Sequence, residues 1–207
     1  MKELIPFTDR QIKDLINCRD DVRHFAEIHC RMSNPALLQA FALNEIEGAR
    51  FPVMVIEEDV ADELAAVFIL WVAMFSYDKT IMIVGKTITH SQGIIDKIKT
   101  IYETIPDHLR VHPTEYNKRS LTFDNGVQVI ARARTSNAAR GMCLSFVYCS
   151  GADPKFDANM EPFWEAITPQ MAVGFTKFLI STTHDPLVVS PFVDGGEDFA
   201  VIRTLKS

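Results

Sequence analysis

The stretch Thr80–Ile105, TIMIVGKTITHSQGIIDKIKTIYETI, carries the repeating unit of the fold. TIMIV is a short apolar run with β-branched residues, the pattern of a strand buried on both faces. Beyond Ser91, residues Ile94, Ile95, Ile98, Ile101, Tyr102 and Ile105 recur at helical spacing and form one face. Between strand and helix stands Gly85-Lys86-Thr87, three letters shared with phosphate-binding loops. Such a loop needs G-x-x-x-x-G-K-[ST], because a glycine-rich bend must offer successive backbone N–H groups to the phosphates. Thr80 stands where the first glycine should be, and Ile81 to Val84 are strand. The spacing therefore predicts a strand-to-helix turn with a solvated lysine.

The same alternation extends in both directions. Upstream, FPVMVI (Phe51–Ile56) reads as a central strand, and EEDVADEL (Glu57–Leu64) leads into the apolar run LAAVFILWVAMF (Leu64–Phe75). That run has 12 residues, too short for a bilayer, which takes roughly 18 or more, so it is expected to be a buried helix. Residues 8–31 read as helical through Ile12, Leu15, Ile16, Val22, Phe25 and Ile28, and Ala36–Gly48 as a second helix entered by Pro35. Downstream, SLTFDNGVQVIARA (Ser120–Ala133) predicts a hairpin turning on Asp124-Asn125-Gly126. LSFVYC (Leu144–Cys149) and FTKFLIST (Phe175–Thr182) are two further buried strands around a partly helical, Trp-containing segment. The fold expected is α/β, a mostly parallel central sheet with helices on both faces and one hairpin. Residues 1–190 form one domain in this reading, and 191–207, broken by Pro191 and Gly195-Gly196, a tail or short appended hairpin.

Composition narrows the partners. The 207 residues are 47% apolar and 23% charged, as in an ordinary globular protein, and the formal net charge is −6. A free-standing nucleic-acid binder usually carries a basic footprint; here it would have to be local. The dense basic stretch is Arg132, Arg134 and Arg140, with Lys118 and Arg119 nearby. Contact with a partner or with DNA phosphates would fall there; a solvated face is the plainer alternative. The four cysteines form no C-x-x-C pair and are expected to be reduced core residues. His108 and His112 straddle a helix end before Pro113, so no metal pair is expected. The N-terminal MKELIPFTDR is too polar for a signal peptide.

Taken in order, several of these blocks resemble a known family. KTIMIVGKTITHSQGIIDKIKTIYETIPDHL, EYNKRSLTFDNGVQVIARARTSNAARG, LSFVYC, FWEAITPQM and LISTTHDP are similar in order and spacing to the ATPase domain of the large terminase subunit, the DNA-packaging motor of T-even-like tailed phages. The resemblance is clear from about Phe75 to Pro186 and implies a P-loop NTPase-like fold. It places the family's phosphate loop one βα unit before Gly85, between FPVMVI and the helix of Leu64–Phe75. There this chain has no glycine, no lysine and no Ser/Thr hydroxyl, but Glu57, Glu58, Asp59, Asp62 and Glu63.

Carboxylates near a phosphate repel it, by about 4 kcal/mol per unit-charge pair at ~4 Å and an effective dielectric near 20. A helix N-terminus favours negative charge, and Asp59, Asp62 and Glu63 are expected to take that place as cap and first-turn residues. The resemblance further implies adjacent acids at the end of a buried strand, one for magnesium and one for the attacking water. FVYC instead runs into Ser150-Gly151-Ala152-Asp153, where Asp153 precedes Pro154 and is expected to start a turn. Arg140 falls where the family has a basic residue near the nucleotide or a neighbouring subunit, and Ser181-Thr182-Thr183 where it has its coupling segment. The 21 residues after Pro186 are too few for the family's nuclease domain, so no DNA cleavage is expected of this chain.

The expectation is thus a degenerate relative: a pseudo-ATPase with no catalytic residues, cofactor or metal, acting by binding. Its partner would be the terminase motor, the portal or a host factor, in the host cytoplasm during infection, with DNA contact a weaker expectation and no membrane. One alternative is an active packaging ATPase with a rebuilt site, Lys86 or Arg140 meeting phosphates and Glu57, Glu58 or Asp153 holding metal. Another is an assembly protein built on the same scaffold, or an inhibitor of a host factor.

Overall fold

The computed structural model of the chain describes residues 7–31, 43, 46–48, 51–153, 157–167, 169, 177–182 and 199–203. In chain order its elements are helices α1 (Asp9–Asp20) and α2 (Val22–His29), strand β1 (Phe51–Val55), helix α3 (Glu58–Phe75), strand β2 (Thr80–Gly85) and helix α4 (Ile88–Tyr102). Strands β3 (Pro113–Tyr116), β4 (Ser120–Phe123), β5 (Gln128–Ala133) and β6 (Phe146–Cys149) follow, then helix α5 (Met160–Ile167), β7 (Lys177–Thr182) and β8 (Phe199–Arg203). The strands form one eight-stranded sheet in the order β3-β4-β5-β2-β6-β7-β1-β8. Every pairing from β5 across to β8 is parallel. Only the β3 and β4 edge is antiparallel. The mixed α/β sheet expected from the sequence is what the chain builds.

The central strands are apolar throughout because both sheet faces are covered, and strand alternation divides them between two cores. Ile81, Ile83, Phe146, Tyr148, Leu179 and Met54 point to the side of α2, α3 and α4. Met82, Val84, Val147, Cys149, Phe178 and Ile180 point to the side of α5, where Met160, Phe163 and Ile167 meet them. α3 is apolar nearly all round, with Leu64 to Leu70 buried, as expected of a helix packed between the sheet and its neighbours. Among the described residues no helix is long and apolar enough to cross a membrane.

The hairpin forms as its turn residues demand. Gly126 N–H donates to the Phe123 carbonyl and Gly126 takes φ +82°, whereas Asp124 and Asn125 keep negative φ. This is a type I turn closed by a left-handed glycine. The Asn125 side chain reaches back to donate to the Ala73 and Ser76 carbonyls, both at 2.8 Å, closing the C-terminal end of α3.

Four boundaries differ from the sequence reading. The helix over 8–31 breaks at Asp21, an extended residue whose carboxylate accepts from Arg23 N–H and so starts α2. α4 begins three residues before Ser91, because Thr87 caps it by accepting from His90 N–H. The short polar strand β3 carries no apolar signal. The C-terminal segment read as tail or hairpin supplies β8, which pairs in parallel with β1 from Phe51↔Phe199 to Val55↔Arg203 and belongs to the main sheet. Of the helix expected over Ala36–Gly48, only residues 43 and 46–48 are described, and they are helical.

Candidate functional site

In an open parallel sheet, ligands bind in the crevice beyond the carboxyl ends of the strands. Here that edge gathers the ends of β1, β7, β6, β2 and β5, and with them a buried polar network. At its centre is Asp62, one turn into α3 and only 3% exposed. Its Oδ1 accepts from the Tyr148 hydroxyl at 2.6 Å and the Ser150 hydroxyl at 2.7 Å. Its Oδ2 lies 3.1 Å from His90 Nε2 on α4. The Tyr148 hydroxyl also lies 3.1 Å from Ser181 Oγ on β7, which accepts from Gly151 N–H at 3.0 Å. Four elements and the loop after β6 are thereby tied to one carboxylate.

Electrostatics follow from that packing. The hydrogen bond to Asp62 raises the His90 pKa against the opposing effect of burial, and the charges of Asp62 and Glu58 add to the rise. Burial, with Asp62 beside it, holds the Tyr148 phenol far above its ordinary value, so it serves as a neutral donor. Ser150, His90 and Asp62 are the residue types of a hydrolytic triad, but the geometry is different. Both Ser150 Oγ, at 3.0 Å, and Asp62 meet the same nitrogen, Nε2 of His90. A triad places serine and carboxylate on opposite ring nitrogens so that a proton can pass between them. Ser150 is moreover 1% exposed and already donates to Asp62, so it is no nucleophile.

The acidic stretch takes a different arrangement from the one its sequence suggested. Only Ile56 and Glu57 separate β1 from α3, and the N-cap is Glu57, which makes no side-chain capping bond. Asp59 stands in the first turn, as expected, but Asp62 and Glu63 lie beyond it and none of the three is the N-cap. The Asp59 side chain is 99% exposed, 3.7 Å from Lys97 Nζ, whereas Asp62 turns inward because it sits on the same stripe as Ala61, Ala65 and Ala66. Glu58 leans over the end of β6: a Cβ placed on Gly151 would come 2.7 Å from Glu58 Oε1. His90 Nε2 is 3.5 Å from the same oxygen.

The arginines do not form one patch. Arg134 is 1% exposed. Its guanidinium pairs with Asp157 and donates to the carbonyls of Ser150 and Gly151, so it cannot touch DNA or a partner. Its Nε–H has no partner among the described residues. Arg132 is half-buried and donates to the Ala131 carbonyl at 3.3 Å. Arg140 is exposed on the turn whose Ala138 and Ala139 pack against the second sheet face. Lys86 is exposed, while the Gly85 N–H is consumed by Ser91 Oγ at 2.7 Å, which itself donates to the Arg132 carbonyl. Gly85-Lys86-Thr87 is the strand-to-helix turn expected. The Asp153 carbonyl accepts from Asp157 N–H, as at the start of a turn. Ser181 and Thr182 end β7 and are buried, while Thr183 lies outside the described residues.

Sequence reasoning missed the network because its members lie far apart in the chain, Asp62 and Ser150 by 88 positions. One signal was present: Asp62 shares the helix phase of buried alanines, where a solvated acid has no place.

The mixed α/β fold is similar to that of solved large terminases and of a large-terminase ATPase domain. The large terminase of a thermophilic bacteriophage superposes with a TM-score of 0.56 over 96% of this chain and 46% of its own, at 13% identity. The HK97 bacteriophage large terminase gives a TM-score of 0.57 at 13% identity, over 80% of this chain and 38% of that one. The ATPase domain of the Thermus phage P74-26 large terminase gives 0.51 at 13% identity, over 86% of this chain and 83% of that domain. The first of these terminases is also known in complex with ADP and with ATP-γ-S. This chain spans less than half the length of the thermophilic-phage and HK97 proteins. No family model matches it.

Proposed function

We propose that this chain is a catalytically silent relative of the terminase motor domain, degenerate at its nucleotide site, that acts by binding within the DNA-packaging machinery. The observation that carries the proposal is the short passage from β1 to α3. Two residues leave no loop to wrap an anion, and the helix opens with Glu57, Glu58 and Asp59. First-turn amides not taken by a side chain would draw a phosphate. Here the carboxylates beside them oppose it, and Glu58 covers the end of β6, where the resemblance puts the metal and the attacking water. The strand-end hydroxyls and Asp62 are engaged with one another. Lys86 and Arg140 sit on separate exposed turns, which disfavours the rebuilt ATPase site.

A fold that keeps its core and loses its chemistry retains surfaces for function. A packaging component such as the motor or portal is the partner proposed, in the cytoplasm of an infected host. The test is calorimetric titration with Mg-ATP together with a phosphate-release assay, on the wild type and Lys86→Ala. Neither protein is expected to bind or hydrolyse ATP. Turnover by the wild type that Lys86→Ala abolishes would establish the rebuilt site instead. Light scattering addresses the assembly alternative: a stable homo-oligomer would favour it, and a monomer that co-purifies with a packaging protein favours binding.

A further inference from the structure

A second polar cluster lies away from the strand ends, where α1, α2 and the turn after α4 meet. Asp14 on α1 is its centre. His108 Nε2 is 2.8 Å from Asp14 Oδ2, His29 Nε2 is 3.2 Å from Oδ1, and His24 Nε2 is 3.7 Å from Oδ1. Cys18, one helical turn along α1, places its Sγ 3.7 Å from Oδ1. One ligand atom each from Asp14, Cys18 and His29 lies within 4.8 Å of the others. Asp14, His24, His29 and His108 border a pocket of about 480 Å³ that opens to solvent, and Cys18 lies buried behind Asp14.

We infer that Asp14, Cys18, His29 and His108 form a binding site for one zinc-type divalent transition ion, with His24 at its mouth. Carboxylate, imidazole and thiolate are the ligands zinc takes, four at a time in a tetrahedron. With bonds of about 2.0–2.3 Å, the edges of that tetrahedron are roughly 3.3–3.6 Å long. The separations about Asp14, from 2.8 to 3.7 Å, bracket that length. The two histidines address different carboxylate oxygens, so His108 joins the Asp14, Cys18 and His29 group through an Asp14 that binds the ion with both oxygens. The ligand set also discriminates: soft sulfur and imidazole nitrogen favour zinc, cobalt or copper over calcium and magnesium, which take oxygen.

Binding an ion would change the protonation of the cluster. Thiolate is the form in which cysteine ligates a metal, so the ion must displace the Cys18 proton. Each imidazole points Nε2 at the carboxylate and must present that nitrogen's lone pair, its proton passing to Nδ1 or to solvent. Arg10 and Lys13 also line the pocket, so the ion is held by ligand bonds rather than drawn in by net charge. The ligands come from three segments, α1, α2 and the turn after α4, which an ion would join. The Thr104 hydroxyl, donating to the His29 carbonyl at 3.2 Å, already holds two of them together.

The experiment titrates the chain, purified with chelator, with Zn²⁺ by calorimetry and with Co²⁺ by absorption. One equivalent is expected to bind. Co²⁺ should show the intense visible bands of a tetrahedral site and a thiolate charge-transfer band that Cys18→Ser removes. His29→Ala and His108→Ala should each weaken Zn²⁺ binding by more than the roughly 10–100-fold that loss of an outer partner costs. His112→Ala should leave it unchanged. Zn²⁺ should raise the melting temperature of the wild type and not of the histidine variants. Because Cys18 is fully buried and its variant can fail to fold, the two partly exposed histidines decide the matter. No saturable uptake, uptake unaffected by both histidine variants, or preferential binding of inorganic phosphate would overturn the site.

Discussion

The two ends of α3 are built on opposite plans. At the C-terminal end, the last carbonyls are met by the Asn125 side chain, delivered by a hairpin whose turn sequence specifies its shape. At the N-terminal end no side chain caps the helix, and three acids open it. The stabilising contact comes one turn later, where Asp62 is pulled into the sheet. The first arrangement is closed by a local motif. The second leaves first-turn backbone donors without a side-chain cap and surrounds them with negative charge.

The largest effect should come from Asp62→Ala. It strips the buried Tyr148 and Ser150 hydroxyls of a shared acceptor and should cost about 2–4 kcal/mol in urea unfolding. Asp62→Asn, which keeps one oxygen, should cost less. A loss no larger than that of an ordinary surface residue would show that the network does not hold α3 to the sheet. Asn125→Ala, at the opposite end, should cost about 1–2 kcal/mol, since the helix carbonyls it releases can partly reach water.

His90 sharpens the contrast through pH. Its folded pKa is raised above the ordinary value of about 6.5. Its contribution is therefore fully present below about pH 6.5 and is lost as pH rises through the raised value. The stability gap between wild type and His90→Gln should narrow accordingly toward alkaline pH, read from urea midpoints. A gap that widens would reverse the assignment of charge. Smallest of all, Asp59→Ala should leave the urea midpoint within error, because that side chain is 99% exposed.

How much of this could be read beforehand depended on the range of the interaction. β2, β6 and β7 were legible because both faces of a central strand are apolar, and the hairpin because Asp124-Asn125-Gly126 encodes its own turn. α1 and α2 merged in the reading, since helical periodicity continues across Asp21 while the break lies in a cap. β3 is an exposed polar edge, and β8 follows breakers that resemble the start of a tail. The acidic stretch was visible as charge, but its division into an exposed Asp59 and a buried Asp62 depends on partners from β6 and α4. Arg134 looked like surface charge for the same reason: Asp157 and the Ser150 carbonyl are brought to it only by the fold.

The most direct test of the proposal that this chain does not bind nucleotide is an amide-resolved NMR titration with Mg-ATP, following the backbone signals of Glu57 to Glu63. Those signals should stay in place at millimolar nucleotide. Saturable shifts there at micromolar nucleotide, accompanied by phosphate release, would contradict it.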